Sequence, residues 1–144
     1  MFVVDTNILV YAVNENSPFQ KACGERIAEW QGQDSAWYLT WGIVYEFLRV
    51  VTHPRIFQNP LSAGPAWSFI ESLLASPSLD MLVPTNRHAT ILAQVLAQAP
   101  LLKGNIIHDA HTATLMREHG IRRIYTRDTD FHRFAFLEPV DPTA

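Results

Sequence analysis

Met1-Phe2-Val3-Val4-Asp5-Thr6-Asn7-Ile8-Leu9-Val10-Tyr11-Ala12 is the stretch on which the fold turns. Phe2, Val3 and Val4 read as a short buried strand, interrupted by a carboxylate and two small polar residues before apolar character resumes at Ile8. Asp5 therefore stands at the carboxyl end of a core strand. In an open parallel sheet that end opens on the crevice where ligands and catalytic groups gather. The rest of the chain is searched for acids that could reach the same rim.

The chain has 144 residues, 48% hydrophobic and 17% charged, which suits one globular domain spanning 1–144. Cys23 is the only cysteine, which rules out an intrachain disulfide and points away from an oxidising compartment. An acid at position 5 is foreign to a signal peptide, and no segment reaches about 18 uninterrupted apolar residues. A soluble, cytoplasmic protein with no membrane association is expected. The net charge of -3 argues against sequence-blind coating of DNA, although Arg117, Arg122, Arg123, Arg127 and Arg133 form a local basic cluster.

Outward from the first strand, Ser17-Pro18 predicts a helix to about Trp30, and Gln31 to Asp34 a polar turn. Ala36 to Leu39 is a second strand. From Trp41, with Thr40 as cap, the pattern becomes helical: Ile43, Glu46, Phe47 and Val50 share one face. Thr52 to Pro65 is broken by three prolines and predicts a loop, followed by a helix over Trp67–Ala75. Met81 to Val83 is a third strand, and Ala89–Ala99 a helix ended by Pro100. Asn105 to Gly120 is a further helix with a glycine stop, in which Ile106, Asp109, Ala113 and Met116 share a face. Arg123 to Thr126 is a fourth strand, and Phe134 to Leu137 a short edge strand. Single strands alternating with helices imply an α/β sandwich with a central, mostly parallel sheet of four or five strands flanked by helices.

Acids recur at informative places in this pattern. Asp5 and Asp128 follow strand ends, whereas Glu46 and Asp109 lie within apolar stripes near helix amino termini, so all four can converge at one rim. Carboxylates about 5 Å apart repel by roughly 3 kcal/mol per pair at an effective dielectric of ~20, so such a cluster needs protons or a cation. Hard oxygen ligands without cysteine favour Mg²⁺ or Mn²⁺. Two such ions can activate a water and stabilise the leaving oxygen of a phosphodiester. Taken alone, Glu46 reads more readily as one half of a structural salt bridge.

Four segments in order, Val4-Asp5-Thr6-Asn7-Ile8, Tyr45-Glu46-Phe47-Leu48-Arg49-Val50, His108-Asp109-Ala110 and Thr126-Arg127-Asp128-Thr129-Asp130-Phe131, resemble the acidic motifs of PIN-domain ribonucleases, specifically the VapC toxins of bacterial toxin–antitoxin pairs. Each segment alone would recur by chance; the ordered set, over nearly the full length, is specific. The resemblance implies a Mg²⁺- or Mn²⁺-dependent endoribonuclease with a PIN-like fold, a homodimer, inhibited by a VapB-type antitoxin. It implies Asp5, Glu46, Asp109 and Asp128 as the metal-binding quartet and Asp130 as a further acid, ligand or supporting. Thr126 would position the attacking water, and Asn7 would hold Asp5 by hydrogen bonding. Arg127 and Arg133, on the same loop, are candidates for phosphate contact. Thr52-His53-Pro54-Arg55-Ile56-Phe57 resembles one subgroup of these toxins without naming an RNA.

His108 and His111 suggest a zinc pair only weakly, since no third nitrogen or sulfur ligand is near. Both are expected on the helix surface, with His108 near substrate phosphate. The tryptophans are expected in the core or at a dimer contact, with Trp41 or Phe57 available for base stacking. Arg117, Arg122 and Arg123 are assigned to the surface. A non-catalytic partner in an antitoxin–DNA repressor complex and a PIN nuclease of RNA maturation are the alternatives. A phosphatase forming an aspartyl-phosphate is disfavoured, because Asn7 stands where its second acid belongs.

Overall fold

The computed structural model describes residues 1–99 and 101–144. Five short strands form one sheet, with β1 (Phe2–Val4) at its centre, β2 (Trp37–Thr40) and β3 (Leu79–Leu82) on one side, and β4 (Arg123–Tyr125) and β5 (Glu138–Val140) on the other. Every pairing is parallel, so the expectation of a mostly parallel sheet becomes a wholly parallel one. Parallel strands need crossover connections, and these are the helices α1 (Thr6–Val13), α2 (Gln20–Gly32), α3 (Trp41–Thr52), α4 (Ala63–Leu74), α5 (His88–Gln98) and α6 (Ile106–Glu118).

The order β3-β2-β1-β4-β5 sends the chain first to one side of β1 and then to the other. The reversal falls between β1 and β4, which pair as Phe2 with Arg123, Val3 with Ile124 and Val4 with Tyr125. Their carboxyl ends flank the topological switch point, the usual crevice of such a sheet. Asp5 is the first residue past β1 and Thr126 the first past β4.

Val3, Val4, Ile8, Leu9 and Ile124 are fully buried at the centre of the molecule. Phe2, Trp30, Trp37 and Tyr125 form an aromatic cluster on one face of the sheet, with Phe2 4.8 Å from Tyr125 and 5.2 Å from Trp30 between ring centres. The Trp37 indole donates to Ser78 Oγ at 2.9 Å, and that hydroxyl donates to the Trp30 carbonyl, so no polar atom of this cluster is orphaned. Two of the tryptophans are thus core residues, while Trp41 and Trp67 stay partly exposed. No helix among the described residues is long and apolar enough to cross a membrane.

Several elements depart from expectation. Thr6–Val13 is a helix that the continuous apolar run from Ile8 to Val13 did not reveal as one. Helix α4 starts at Ala63 rather than Trp67, because Pro65 sits in its first turn, where a missing N–H goes unneeded. The edge strand is Glu138–Val140, not Phe134–Leu137; Pro139 is tolerated there since an edge strand has one unpaired side. Phe134 and Leu137 instead anchor the preceding loop in the core. Helix α5 ends at Gln98; the stop expected at Pro100 lies outside the described residues. Helix α6 is buried all round from Thr112 to Met116 rather than along one stripe, and it ends at Glu118, with His119 as its cap and then Gly120, whose φ of +69° suits glycine.

Candidate active site

Three strand ends and the first turns of two helices meet in one cleft of about 750 Å³. Asp5 caps α1: its Oδ1 accepts the Thr6 amide at 2.8 Å. Its Oδ2 accepts from the Thr126 hydroxyl at 2.8 Å and from Asn7 Nδ2 at 3.1 Å. Asn7 also donates to Thr126 Oγ1, and its carbonyl oxygen accepts the Arg127 amide. The Asp128 amide donates to the same Thr126 hydroxyl at 2.9 Å, and Asp128 Oδ1 accepts the Asp130 amide, starting the 3₁₀ turn Thr129–Arg133.

Thr126 is therefore the hub that joins β1 to β4 at the switch point. A hydroxyl has one proton and two lone pairs. Here the proton goes to Asp5, and the lone pairs take Asn7 and Asp128. In this arrangement Thr126 holds the two carboxylate residues Asp5 and Asp128 in place. Asn7 does hold Asp5, through the amide nitrogen.

One oxygen each of Asp109, Asp128 and Asp130 lie within 4.8 Å of one another. Asp5 and Glu46 line the same cleft beside this trio. Burial first, then the charges of Asp5, Asp128, Asp130 and Glu46, push the Asp109 carboxyl up from 3.8 to about 7. Burial raises Asp5 to about 6 against the hydrogen bonds of Thr126 and Thr6, with Asp128 and Glu46 adding to the rise. Carboxyls held out of ionisation by burial first and by neighbouring acids second mark a cleft without sufficient counter-charge. The nearby guanidiniums do not supply it. Arg49 grips Glu46 with two hydrogen bonds, at 2.7 and 3.2 Å, and Arg133 approaches Asp130 only to 3.6 Å at an exposed position.

The residues present fit a hard divalent cation, since carboxylate oxygens converge, no cysteine intervenes and the cluster carries excess negative charge. Asp109, Asp128 and Asp130 come closest together, which gives Asp130 a more central place than the expected quartet did. Glu46 is half exposed and paired rather than buried, so it combines the two alternatives open for it: it is salt-bridged, and it lines the cleft.

Arg127 lies beside Asp128 in sequence but turns away. Its guanidinium bonds Asp141 at 3.2 Å and stacks 3.7 Å from the Phe19 ring centre, which ties the carboxyl-terminal segment to α1 and α2 instead of facing a phosphate. The chain bends at Arg127, just past the end of β4, which is why adjacency misleads here. Among the other arginines, Arg117 bonds Gln98 and lies over Phe136, and Arg122 pairs loosely with Glu138.

His108 is exposed, as expected, and lines the cleft, whereas His111, also expected on the helix surface, is half-buried in the cleft wall. The cleft wraps around the first turns of α6, and Gly42 on α3 leaves room for the His111 ring, whose Nδ1 would lie 3.1 Å from a Cβ at that position. Among the described residues the acidic trio contains no histidine, which leaves the zinc reading without its ligands. Phe57 is buried and cannot stack on a base, whereas Trp41 is exposed.

Sequence reasoning passed over one further ionic feature. Glu118, its side chain fully enclosed, accepts from the Thr85 amide and hydroxyl and sits 2.6 Å from His88 Nδ1. Burial pushes its carboxyl up, but those hydrogen bonds outweigh burial and hold it below 4.5. It pins the end of α6 to the start of α5. Lying in Arg117-Glu118-His119, it carries no local signal of burial.

A family model described as PIN domain matches residues 2–137. The chain is 36% identical over 145 residues to ribonuclease VapC37 of Mycobacterium tuberculosis, covering 100% of this chain and 99% of that one. It is 32% identical over 138 residues to ribonuclease VapC48 of the same organism, covering 96% and 94%. Among solved structures, it shares its fold with VapC20 of M. tuberculosis, described as a sarcin-ricin loop cleaving toxin, at a TM-score of 0.67, with 17% identity over 96% of this chain and 98% of that one. It shares the fold likewise with VapBC2 of Rickettsia felis bound to a fragment of promoter DNA, at a TM-score of 0.68, with 16% identity and 96% coverage of both chains.

Proposed function

Because the chain belongs to the PIN-domain family, with VapC ribonucleases among its relatives at 32–36% identity, we propose that it is a metal-dependent endoribonuclease, the toxin of a toxin–antitoxin pair. The observation that carries the reading is the cleft at the switch point, where Asp109, Asp128 and Asp130 converge beside Asp5 and Glu46 without enough positive charge to balance them.

Asp109, Asp128 and Asp130 would hold Mg²⁺ or Mn²⁺, with Asp5 and Glu46 completing the set. The ion would supply Lewis-acid chemistry, making water a nucleophile near neutral pH and neutralising charge on the phosphodiester. The chain's own part is pre-organisation. Thr126 and Asn7 fix the Asp5 carboxylate, Thr126 fixes the loop at Asp128, and the Asp130 amide fixes the Asp128 side chain. Asp109 projects from the first turn of α6, where the helix dipole favours its ionised form once a cation offsets the neighbouring charges. Net reaction is hydrolysis: water adds to phosphorus, and the bond to the leaving ribose oxygen breaks as that oxygen takes up a proton.

The solved neighbours include toxin–antitoxin assemblies, which supports a VapB-type antitoxin as the partner of this chain. A homodimer in the cytoplasm, built from one PIN domain per chain, belongs to the same proposal. The test is incubation of purified protein with total cellular RNA in Mg²⁺, in Mn²⁺ and in EDTA, beside Asp5→Asn and Asp109→Asn. Discrete fragments that need the ion and fall by more than about 100-fold in both folded variants are expected. No cleavage by folded, ion-loaded protein would overturn the reading in favour of a non-catalytic antitoxin partner.

A further inference from the structure

The carboxylate floor of the cleft explains how a phosphodiester could be cut but not which one. Its walls carry different chemistry. Helix α3 buries Ile43, Val44, Phe47 and Val51, which leaves Trp41, Tyr45 and Arg49, four residues apart, as a row on its solvent side. Tyr45 and Arg49 are on the cleft wall itself. Single exposed aromatics are ordinary on protein surfaces. Tyr45 differs in that it is 70% exposed at the lip of a polar, acidic cleft, with a second exposed aromatic one turn before it and a guanidinium one turn after.

The opposite wall starts with Asn105. It occupies the position before α6 where an asparagine normally accepts a backbone amide, yet its side chain makes no such cap bond. Its amide stands on the cleft wall instead. A neutral ring face, a carboxamide with both donor and acceptor, and a guanidinium thus surround a floor suited to a metal-bridged phosphate. That combination matches a nucleotide strand with unstacked bases: the ring offers stacking, the amide offers a base edge its complement, and the cation offers a phosphate contact. It matches an apolar protein segment less well, because Gly42 and the Glu46–Arg49 ion pair leave this wall little continuous apolar surface.

We propose that Tyr45 stacks on a base flanking the scissile phosphate and that Asn105 reads a base edge across the cleft, so that these two side chains set which bases flank the cut. This rests on the ribonuclease reading above. Both residues act on binding and choice of site, not on the reacting atoms.

The probe is a short single-stranded RNA carrying 2-aminopurine, titrated with protein in Ca²⁺ and followed by fluorescence, with cleavage of total RNA in Mn²⁺ mapped in parallel. Wild type should quench the probe. Tyr45→Ala should bind about tenfold more weakly with the quenching lost, Tyr45→Phe should retain both, and Asn105→Ala should redistribute the bases flanking the cut sites. Tyr45 is exposed, so its variants should melt as wild type does. Wild-type quenching by Tyr45→Ala, from a protein that cuts RNA, would overturn this inference and leave the ribonuclease standing. Failure of wild type both to bind the probe and to cut RNA would overturn the two together. Tyr45→Ala that binds and cuts RNA normally but loses antitoxin would overturn it in favour of a protein-docking face.

Discussion

Replacing Asp109 with Asn should stabilise the metal-free protein at alkaline pH while silencing the site. Burial and the surrounding acids raise the Asp109 carboxyl from 3.8 to about 7. The folded protein therefore binds more protons than the unfolded chain between these limits. The stability this confers is fully present below 3.8 and is lost as pH rises through about 7. Full ionisation against that gap corresponds to ~4 kcal/mol. The side chain is only partly enclosed, and solvent screening cuts the figure to about 2 kcal/mol. Asparagine keeps the shape and hydrogen-bonding capacity without the charge that Asp5, Asp128, Asp130 and Glu46 oppose. Urea denaturation in EDTA at pH 4, 6 and 8 measures the difference. The variant should gain about 2 kcal/mol over wild type at pH 8 and less than about 0.5 at pH 4. A gain that does not change with pH, or a variant less stable than wild type at pH 8, would refute the claim that uncompensated charge strains this cleft.

Adding Mg²⁺ or Mn²⁺ at pH 8 should raise the melting temperature of wild type, by the equivalent of about 2.7 kcal/mol at a hundred times the dissociation constant, and EDTA should reverse it. Asp128→Asn should lose most of that rise in the same thermal scan. Thr126→Val should destabilise by about 2 kcal/mol in chemical denaturation, because it leaves an Asp5 oxygen, the Asn7 amide and the Asp128 N–H without their common partner. Glu118→Ala should cost about 3 kcal/mol at pH 7 by orphaning Thr85 and His88. Since the Glu118 carboxyl is held below 4.5, its contribution is present above that pH and is lost as pH falls, so the variant and wild type should converge in acid.

The parts of the fold that were legible in the sequence are those with one dominant local signal. Phe2–Val4 stands out because a carboxylate ends it, α3 because Thr40 caps it and its apolar positions repeat at helical period, and the α6 stop because Gly120 needs a positive φ. Ile8 to Val13 has no period to detect, since a run apolar throughout fits a buried strand or helix equally. The acids were legible as a set because strand ends and helix starts must share one rim in a parallel sheet. What the sequence could not carry was direction and long-range pairing. Arg127 turns from the cleft its neighbour Asp128 enters, His111 finds space only because Gly42 lacks a side chain, and Glu118 is buried by partners some thirty residues away. Thr126 was legible as a site residue, but the bonds by which it joins Asp5 and Asn7 to Asp128, across some 120 residues, were not.

The central claim is that one carboxylate cleft binds a divalent ion and cuts RNA with it. The most direct test measures both in the same samples: Mn²⁺ binding by calorimetry and cleavage of single-stranded RNA, for wild type, Asp109→Asn and Asp128→Asn. Binding and cleavage should appear together in wild type and vanish together in the two folded variants. Cleavage that persists in EDTA, or that survives in Asp109→Asn after ion binding has gone, would contradict the account.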